Sequence, residues 1–266
     1  MKNKLEPILL QKKSEVHDLY QRLEHDAHHP IAQVRRGELK MACANFKNSL
    51  KSTSLSVIAE IKRHSPSKGQ LAPIVEPLKL AQRYIRGGAC ALSILTDKTF
   101  FNGHLDDLVQ VAGRIGEPSI PIICKDFIID EVQIAEAAVA GASAVLCIIS
   151  AVGYKAKILI EFARSINLDV LVEIHDKKEL TIALDCGADI IGVNNRNLNT
   201  FEVDPQLAFQ LITAIPDTVI KVAESGITLP SLARQYYQAG FDAVLIGEAL
   251  VKSDHPEKFI MECCYD

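Results

Sequence analysis

The sequence predicts an α/β fold, a (β/α)8 TIM barrel preceded by an N-terminal helical extension, and three observations lead to this prediction. Short apolar runs alternate with amphipathic stretches along most of the chain. Glycines that would end helices recur at intervals of about 50 residues. The chain has 266 residues, 48% of them hydrophobic, which suits one barrel, although two smaller domains would also fit this length.

The apolar runs predict eight strands, each followed by a helix. The strands are expected at 57–62, 91–96, 120–125, 144–149, 170–174, 190–194, 219–223 and 243–247. The helices are expected at 78–86, 105–115, 131–140, 155–166, 177–185, 205–214, 229–239 and 256–263. Strands that alternate with helices of this length favour βαβ units and a parallel sheet. Eight such units in about 210 residues match the size of a closed barrel.

An internal glycine repeat supports closure of the sheet. Gly88, Gly141, Gly187 and Gly240 each lie a few residues before an even-numbered predicted strand. A left-handed residue that ends a helix is most often glycine, so these glycines belong to the scaffold. An open doubly wound sheet is the alternative, but the even repeat and the lack of a G-x-G-x-x-G turn count against it.

Residues 1–50 precede the first predicted strand and form the expected helical extension. Leu5, Ile8, Val16 and Leu19 are spaced like one apolar face of a helix, with lysines and glutamates expected on the opposite face. No flexible linker follows, so we expect the extension to pack on the barrel, residues 51–266, as part of one structural unit.

Charged side chains gather at the predicted carboxyl ends of the strands, where barrels carry their functional groups. Glu60 and Lys62 are two residues apart at the end of the first strand, which predicts that they share a face. Lys125 ends the third strand and Glu173 the fifth. Two lysines and two glutamates that meet at one mouth supply both acids and bases, and they shift each other's pKa values. A structural salt bridge is the alternative interpretation of the Glu60–Lys62 pair alone.

Two segments predict a phosphate site. One follows the seventh strand and contains Glu224, Ser225 and Gly226, and the other follows the eighth and contains Gly247 and Glu248. Small residues there let backbone N–H groups approach an anion closely. The Glu248 carboxylate would repel a phosphate, so its contact is expected to come from the backbone N–H.

Seven separated motifs resemble the indole-3-glycerol-phosphate synthase family, in the family's order. They lie at 58–69, 92–97, 100–103, 125–128, 171–175, 194–198 and 224–227, and read IAEIKRHSPSKG, LSILTD, FFNG, KDFI, LVEIH, NNRNL and ESGI. The resemblance extends from about residue 5 to the C-terminus. It implies ring closure, decarboxylation and dehydration of 1-(2-carboxyphenylamino)-1-deoxyribulose 5-phosphate to indole-3-glycerol phosphate in tryptophan biosynthesis.

The resemblance also implies residue roles. Lys125 is similar in place to the general acid of ring closure, while Lys62, Glu60 and Glu173 would serve dehydration, with the base among the glutamates left open. Asn194 and Ser225 would orient the intermediate. The remaining implied substrate contacts are Ser65, Phe101, Phe127, Arg196, Glu224, Gly226, Gly247 and Glu248. Phe101 and Phe127 would be the apolar walls, and Arg196 could instead be a structural clamp within the sixth loop.

Composition argues against nucleic-acid and membrane partners, while the phosphate segments and the resemblance imply a phosphorylated small molecule as the partner. A net charge of −4 without a basic run argues against nucleic acid, and the apolar runs are too short to cross a bilayer. The N-terminus lacks a signal core, and Cys43, Cys90, Cys124, Cys147, Cys186, Cys263 and Cys264 are odd in number with no C-x-x-C pair. We therefore expect a cytoplasmic protein, with a monomer favoured. No metal or cofactor is expected, since the cluster at 25–29 reads as a solvated loop.

Two other functions fit the fold. One is a sugar-phosphate isomerase with a glutamate base, which would not need two converging lysines. The other is a catalytically silent ligand-binding or assembly protein. Loss of Lys62, Lys125 or Glu173 would have favoured the silent protein, and all three are present.

Overall fold

The computed structural model describes residues 4–41, 44–115 and 120–264, so that Cys43 lies outside the described residues. Eight parallel strands within these ranges close into a barrel in which each strand pairs with its neighbours in the chain, and β1 pairs with both β2 and β8. The strands are β1 (Ser56–Ile61), β2 (Ala91–Leu95), β3 (Ile122–Lys125), β4 (Ala144–Ile148), β5 (Asp169–Ile174), β6 (Ile190–Asn194), β7 (Ile220–Glu224) and β8 (Ala243–Ile246). The predicted fold class is confirmed.

Seven of the eight strands differ from the prediction by one or two residues at one or both ends, whereas β6 has the predicted bounds. Strand β1 ends at Ile61, so Lys62 is the first residue of the following loop and not a strand residue. That loop forms a small hairpin in which His64–Ser65 pairs with Gly69–Gln70. Strand β3 begins at Ile122, two residues later than predicted. Hydrophobicity locates a strand well, whereas its ends depend on pairing with neighbouring strands.

Helices surround the barrel and cover its ends. The α-helices are α1 (Leu5–Glu24), α2 (Pro30–Arg35), α3 (Phe46–Ser49), α4 (Pro77–Arg86), α5 (Lys98–Phe101), α6 (Leu105–Ala112), α7 (Glu131–Val139), α8 (Ile149–Val152), α9 (Ala156–Ser165), α10 (Lys177–Asp185), α11 (Gln206–Leu211), α12 (Pro230–Gln238), α13 (Glu248–Val251) and α14 (Pro256–Cys264). The predicted helix at 205–214 is shorter, because α11 ends at Leu211 and continues as a 3-10 turn.

The repeated glycines have the expected conformation. Gly88, Gly141, Gly187 and Gly240 have φ angles of 93°, 97°, 81° and 106°. These values lie in the left-handed region, which a residue with a Cβ rarely adopts. Each glycine therefore ends a helix and turns the chain into an even-numbered strand, as the repeat predicted.

The described part of the N-terminal extension, residues 4–41 and 44–50, wraps around the barrel. The backbone N–H of Lys4 donates to the carbonyl oxygen of Asn199 in the loop after β6, which places the start of α1 at the carboxyl ends of the strands. Helix α2 packs on α7, and the backbone N–H of Lys47 in α3 donates to Asp169 at the amino end of β5. The extension thus runs from one end of the barrel to the other.

One expectation for α1 is wrong. The lysines were expected opposite the apolar face, but Lys12 is 2% exposed and lies on the same face as Ile8 and Leu19. The spacing shows why, since Lys12 follows Ile8 by four residues and precedes Leu19 by seven. Two carboxylates of the barrel, described below, satisfy its charge.

The core has two layers. Side chains such as Ile58, Ile123, Leu171 and Leu245 fill the barrel, together with Phe46 from α3. A second layer lies between the strands and the surrounding helices. Parallel strands buried on both faces explain why the predicted strands are apolar throughout and do not alternate.

Four further findings concern the described residues. None of their helices is both long and apolar enough to cross a bilayer. No group of three or more His, Cys, Asp or Glu side chains among them is arranged to hold a metal ion. The link at 25–29 joins α1 to α2, and within it His29 caps α2 by accepting the N–H of Ile31 at 3.2 Å. The cysteines in these ranges are free thiols.

Candidate active site

A cavity of about 410 Å³ opens at the carboxyl ends of the strands. Every site residue that the sequence predicted lies on its lining: Glu60, Lys62, Ser65, Phe101, Lys125, Phe127, Glu173, Asn194, Arg196, Glu224, Ser225, Gly226, Gly247 and Glu248. These side chains come from seven of the eight strand ends or the loops that follow them. The barrel therefore brings together groups that are up to 188 residues apart in the chain.

Lys125 lies at the floor of the cavity between two buried carboxylates. Its Nζ is 3.3 Å from Oε2 of Glu173 and 3.1 Å from Oε2 of Glu224. Burial lowers the pKa of Lys125, but the charges of Glu224 and Glu173 outweigh burial and raise it above the ordinary 10.5. Lys125 is therefore a charged proton donor at neutral pH.

The two carboxyls that flank Lys125 have opposite pKa shifts. Burial raises the pKa of Glu224 to about 7, although the charge of Lys125 opposes this. Burial also acts on Glu173, but the charges of Lys125 and His175 outweigh it and lower the pKa of Glu173 below its ordinary value of 4.5. One carboxyl is thus held as an anion, while the other can exchange a proton near neutral pH.

His175 occupies the far side of Glu173. Its Nε2 is 3.4 Å from Oε1 of Glu173, and its Nδ1 is 3.0 Å from Oε2 of Glu179 in the first turn of α10. Burial lowers the pKa of His175, but the hydrogen bond to Glu179 and the charge of Glu173 outweigh burial and raise it above 6.5. Glu173 thus has a basic group next to each of its oxygens.

Glu60 and Lys62 form the second acid–base pair of the cavity. Nζ of Lys62 is 2.6 Å from Oε1 of Glu60, and the hydroxyl of Ser93 donates to Oε2 of Glu60 at 3.3 Å. Gly247 leaves room for this pair, because a Cβ there would lie 2.4 Å from Oε1 of Glu60 and 3.1 Å from Nζ of Lys62. The sequence indicated only a phosphate role for Gly247.

Two phenylalanines face each other at the cavity wall. Phe101 ends the short helix α5, Phe127 follows β3, and their ring centroids are 6.0 Å apart. Asp97 begins α5 and accepts the backbone N–H groups of Phe100 and Phe101 at 2.7 and 3.1 Å. A planar apolar group of a ligand fits against such rings.

The loops after β7 and β8 contain the predicted phosphate segments. Ser225 and Gly226 have φ angles of 64° and 78°, so two successive residues are left-handed. A serine in this conformation is strained, and such strain is common where a functional site requires it. Glu248 begins α13, and its carboxylate accepts hydrogen bonds from Nζ of Lys68 and from Nζ of Lys252, both at 2.8 Å. Two ammonium groups thus balance the negative charge of Glu248.

Asn194, Arg196 and Ser65 line the upper cavity. Oδ1 of Asn194 accepts the N–H of Arg196 at 2.9 Å. Nη1 of Arg196 donates to the carbonyl oxygen of Phe201 and to Oγ of Ser67, both at 3.1 Å. The contact with Phe201 suits a clamp within the sixth loop, whereas the contact with Ser67 joins that loop to the loop after β1. Arg196 also faces the cavity. Ser65 is 7% exposed.

Sequence reasoning missed two charged groups near this site, Lys68 and Lys12, and the ion pair made by a third, Glu224. Lys68 also lines the cavity and pairs with Glu248. Glu224 was assigned to the phosphate segment, but its carboxylate pairs with Lys125. Lys12 of α1 reaches the loops after β2 and β3. Lys12 had a signal in the sequence, namely a lysine at an apolar position of an amphipathic helix, and Lys68 lies within the motif at 58–69.

Comparisons of this chain with a family model and with curated relatives point to the same family. A family model described as indole-3-glycerol phosphate synthase matches residues 5–263. Relatives of that name include one from Chloroherpeton thalassium, 46% identical over 79% of this chain and 80% of the relative. Another, from Kineococcus radiotolerans, is 44% identical over 78% of this chain and 75% of the relative.

Solved structures also resemble this chain. A thiamine phosphate pyrophosphorylase from Pyrococcus furiosus superposes with a TM-score of 0.59 at 17% identity, covering 82% of this chain and 96% of that chain. At this identity, the likeness supports the barrel fold alone.

Proposed function

This chain belongs to the indole-3-glycerol-phosphate synthase family, and from that premise we propose which of its residues carry out the reaction. The chain is a carboxy-lyase of tryptophan biosynthesis that acts on a phosphorylated small molecule. It converts 1-(2-carboxyphenylamino)-1-deoxyribulose 5-phosphate to indole-3-glycerol phosphate with loss of carbon dioxide and water. The observation that carries the assignment of roles is the position of Lys125 between Glu173 and Glu224.

Lys125 is the general acid of ring closure. The ring carbon that bears the carboxylate attacks the ketone of the ribulose chain, and the ketone oxygen needs a proton as negative charge develops on it. The raised pKa keeps Lys125 protonated before this step. Until the proton is transferred, Glu173 and Glu224 stabilise the ammonium group of Lys125 and fix its position.

Decarboxylation follows without an added electron sink. Ring closure leaves a cationic imine next to the carboxylate, and this imine accepts the electron pair of the breaking C–C bond. Loss of carbon dioxide gives back the aromatic ring. The chemistry at this step therefore requires neither a metal nor an organic cofactor.

Dehydration uses the pair formed by Glu60 and Lys62. Lys62 donates the proton to the departing hydroxyl, and a glutamate removes the proton from the ring system. Glu60, whose Oε1 is 2.6 Å from Nζ of Lys62, is positioned to act together with that acid. Glu173 is the alternative base because it is held as an anion next to Lys125.

The remaining residues bind and orient the substrate. Phe101 and Phe127 hold the aryl ring over the ketone, and such positioning contributes several kcal/mol, of the order known for oriented reactants. Asn194 and Ser225 hydrogen-bond the intermediate. The phosphate lies at the loops that contain Gly226 and Gly247, with backbone N–H groups, including that of Glu248, as its donors. Ser65, Arg196 and Glu224 provide further contacts on the cavity wall.

A turnover assay tests these roles. The chain contains no tryptophan, so indole emission arises from the product alone. We expect turnover by the wild type and a loss of at least about 100-fold for Lys125→Ala. A folded wild type that binds the substrate without turnover would instead favour a silent binding protein. A wild type that neither binds nor turns it over would favour a sugar-phosphate isomerase.

Three properties of the chain complete the proposal. We propose a cytoplasmic location, which the free thiols of the described cysteines support. We propose a monomer, to be checked by sedimentation. We also propose that residues 1–50 and 51–266 unfold together, as the contacts of α1 and α3 with opposite ends of the barrel support. Coincident unfolding transitions by two probes would test this unity.

A further inference from the structure

A lysine of the N-terminal extension reaches the loops after β2 and β3 beside the candidate active site. Lys12 is 2% exposed, and its Nζ lies 2.9 Å from Oδ2 of Asp97 and 2.7 Å from Oδ1 of Asp126. Asp97 follows β2 and Asp126 follows β3, directly after Lys125. A third acidic group, Glu15 of the next turn of α1, lies 2.8 Å from the same Nζ.

Each of the two aspartates also holds one aromatic wall of the cavity. Asp97 accepts the N–H groups that begin helix α5, which ends in Phe101. Asp126 accepts the N–H of Phe127 at 2.7 Å through the same oxygen that faces Lys12. Asp126 also accepts the hydroxyl of Thr96 at 2.7 Å, which ties the loop after β3 to the end of β2. The two walls therefore share one ammonium group.

This arrangement needs the cation. Asp97 has a fully buried side chain and that of Asp126 is 13% exposed, so their charges would repel each other through a medium of low polarity. Burial raises the pKa of Asp126 while Lys12 lowers it. Without Lys12, the two loops would have to separate or one aspartate would have to take up a proton.

We propose that Lys12 is a positioning residue for catalysis, which sets the spacing of Phe101 and Phe127 and the orientation of Lys125 through Asp97 and Asp126. The N-terminal helix thus forms part of the catalytic machinery although Lys12 does not line the cavity. This inference rests on the proposed function, because the two walls matter only if an aryl group binds between them. Displacement of reacting groups by about 1 Å costs on the order of 100-fold in rate.

A purely structural role is the competing explanation, and it makes a different prediction. A structural strut would lower the melting temperature but leave the kinetics of the folded molecules unchanged. A positioning residue lowers kcat/KM and weakens product binding at temperatures where the variant is fully folded.

The test compares Lys12→Met with Lys13→Met, since Lys13 is the adjacent, exposed lysine of the same helix. Circular dichroism first defines a temperature at which each variant is folded. Steady-state kinetics and indole-3-glycerol phosphate binding, followed by indole emission, are then measured there. We expect Lys12→Met to lose at least about tenfold in kcat/KM and to bind the product more weakly, while Lys13→Met stays within about twofold of the wild type.

A second variant protects the test from a folding defect. Lys12→Gln keeps most of the side-chain length and can donate to both aspartates, so it serves under the same criteria if Lys12→Met does not fold. A folded Lys12 variant with kcat/KM within about twofold of the wild type overturns the inference, and so does failure of both variants to fold. If the wild type itself does not turn over the substrate, the proposed function fails instead.

Discussion

Replacement of Lys125 by methionine removes the charge at the centre of the site but keeps the length of its side chain. Because Lys125 is the only group that contacts both Glu173 and Glu224 among the ion pairs of the described residues, no neighbour can replace its proton. General acids contribute about 100- to 10,000-fold, so kcat should fall by that factor. Product affinity should change much less, since the aryl walls and phosphate loops are intact.

The same change should lower stability in a pH-dependent manner. At an effective dielectric constant of about 20, separations of 3.1 and 3.3 Å correspond to about 5 kcal/mol each before desolvation is subtracted. Without the cation, one of the two carboxyls must be protonated in the folded state, although its ordinary pKa is 4.5. The wild type also carries a proton on Glu224 below pH 7, because the pKa of that carboxyl is raised to about 7. Above pH 7 the wild type releases this proton while the variant must retain it, so the variant's loss of stability grows there by up to about 1.4 kcal/mol per pH unit.

The sign of the pH dependence follows from the raised pKa. A carboxyl whose folded-state pKa exceeds its unfolded value contributes stability at low pH and loses it as pH rises. Urea unfolding of wild type and variant between about pH 7 and pH 9 should therefore give a difference in free energy of unfolding that grows with pH. Equal differences at both ends of the range would contradict the burial of two carboxyls around Lys125.

Lys221 provides the matched control. It is a 9% exposed lysine in β7, and its Nζ is 2.8 Å from a carboxylate oxygen of Asp217. Lys221 is the second residue of β7, and its backbone N–H donates to Asp242 just before β8. It therefore lies towards the amino end of the barrel, and it does not line the cavity. Lys221→Met should retain kcat within about twofold. A Lys125→Met protein that is folded and retains more than about a tenth of wild-type kcat would refute the role of Lys125 as general acid.

Three further changes test other parts of the structure. Gly247→Ala would place a Cβ 2.4 Å from Oε1 of Glu60, so steady-state kinetics should show a loss of kcat of about tenfold or more. The melting temperature should change little because a carboxylate can move. An unchanged kcat would contradict this prediction. Gly103→Ala would place a Cβ 2.3 Å from a backbone carbonyl that cannot move, and urea unfolding should show a loss of about 1–3 kcal/mol. His175→Gln removes a group whose raised pKa stabilises the fold below about pH 6.5. The difference in free energy of unfolding between wild type and variant should therefore shrink as pH rises. A difference that stays constant with pH would contradict the contact with Glu179.

The fold was predictable because its signals are local. A buried parallel strand is an apolar run, a helix end is a glycine, and neither needs knowledge of distant residues. The errors were local too, as with Lys62, which follows strand β1 instead of ending it. Pairing with β2 and β8 decides where that strand stops, and this pairing is a contact between distant segments.

That the predicted residues line one cavity was predictable for the same reason, but which of them pair with each other was not. The predicted strand ends indicated Glu60, Lys125 and Glu173 as site residues, but they gave no distances between these side chains. The sequence could not assign Glu224 to Lys125, because 99 residues separate them and both the strand register and the barrel's closure determine the contact. The space beside Gly247 likewise exists only once β8 lies next to β1.

The sequence by itself determined the barrel, the end of the barrel at which the predicted site residues gather, and the family to which its motifs point. Each of these follows from periodicity, turn residues or short motifs that are read within a few positions. The tertiary structure alone decided the electrostatics of the site. The pKa of a buried group depends on which charges lie within a few ångströms, and for Lys125 and Lys12 those charges come from distant parts of the chain.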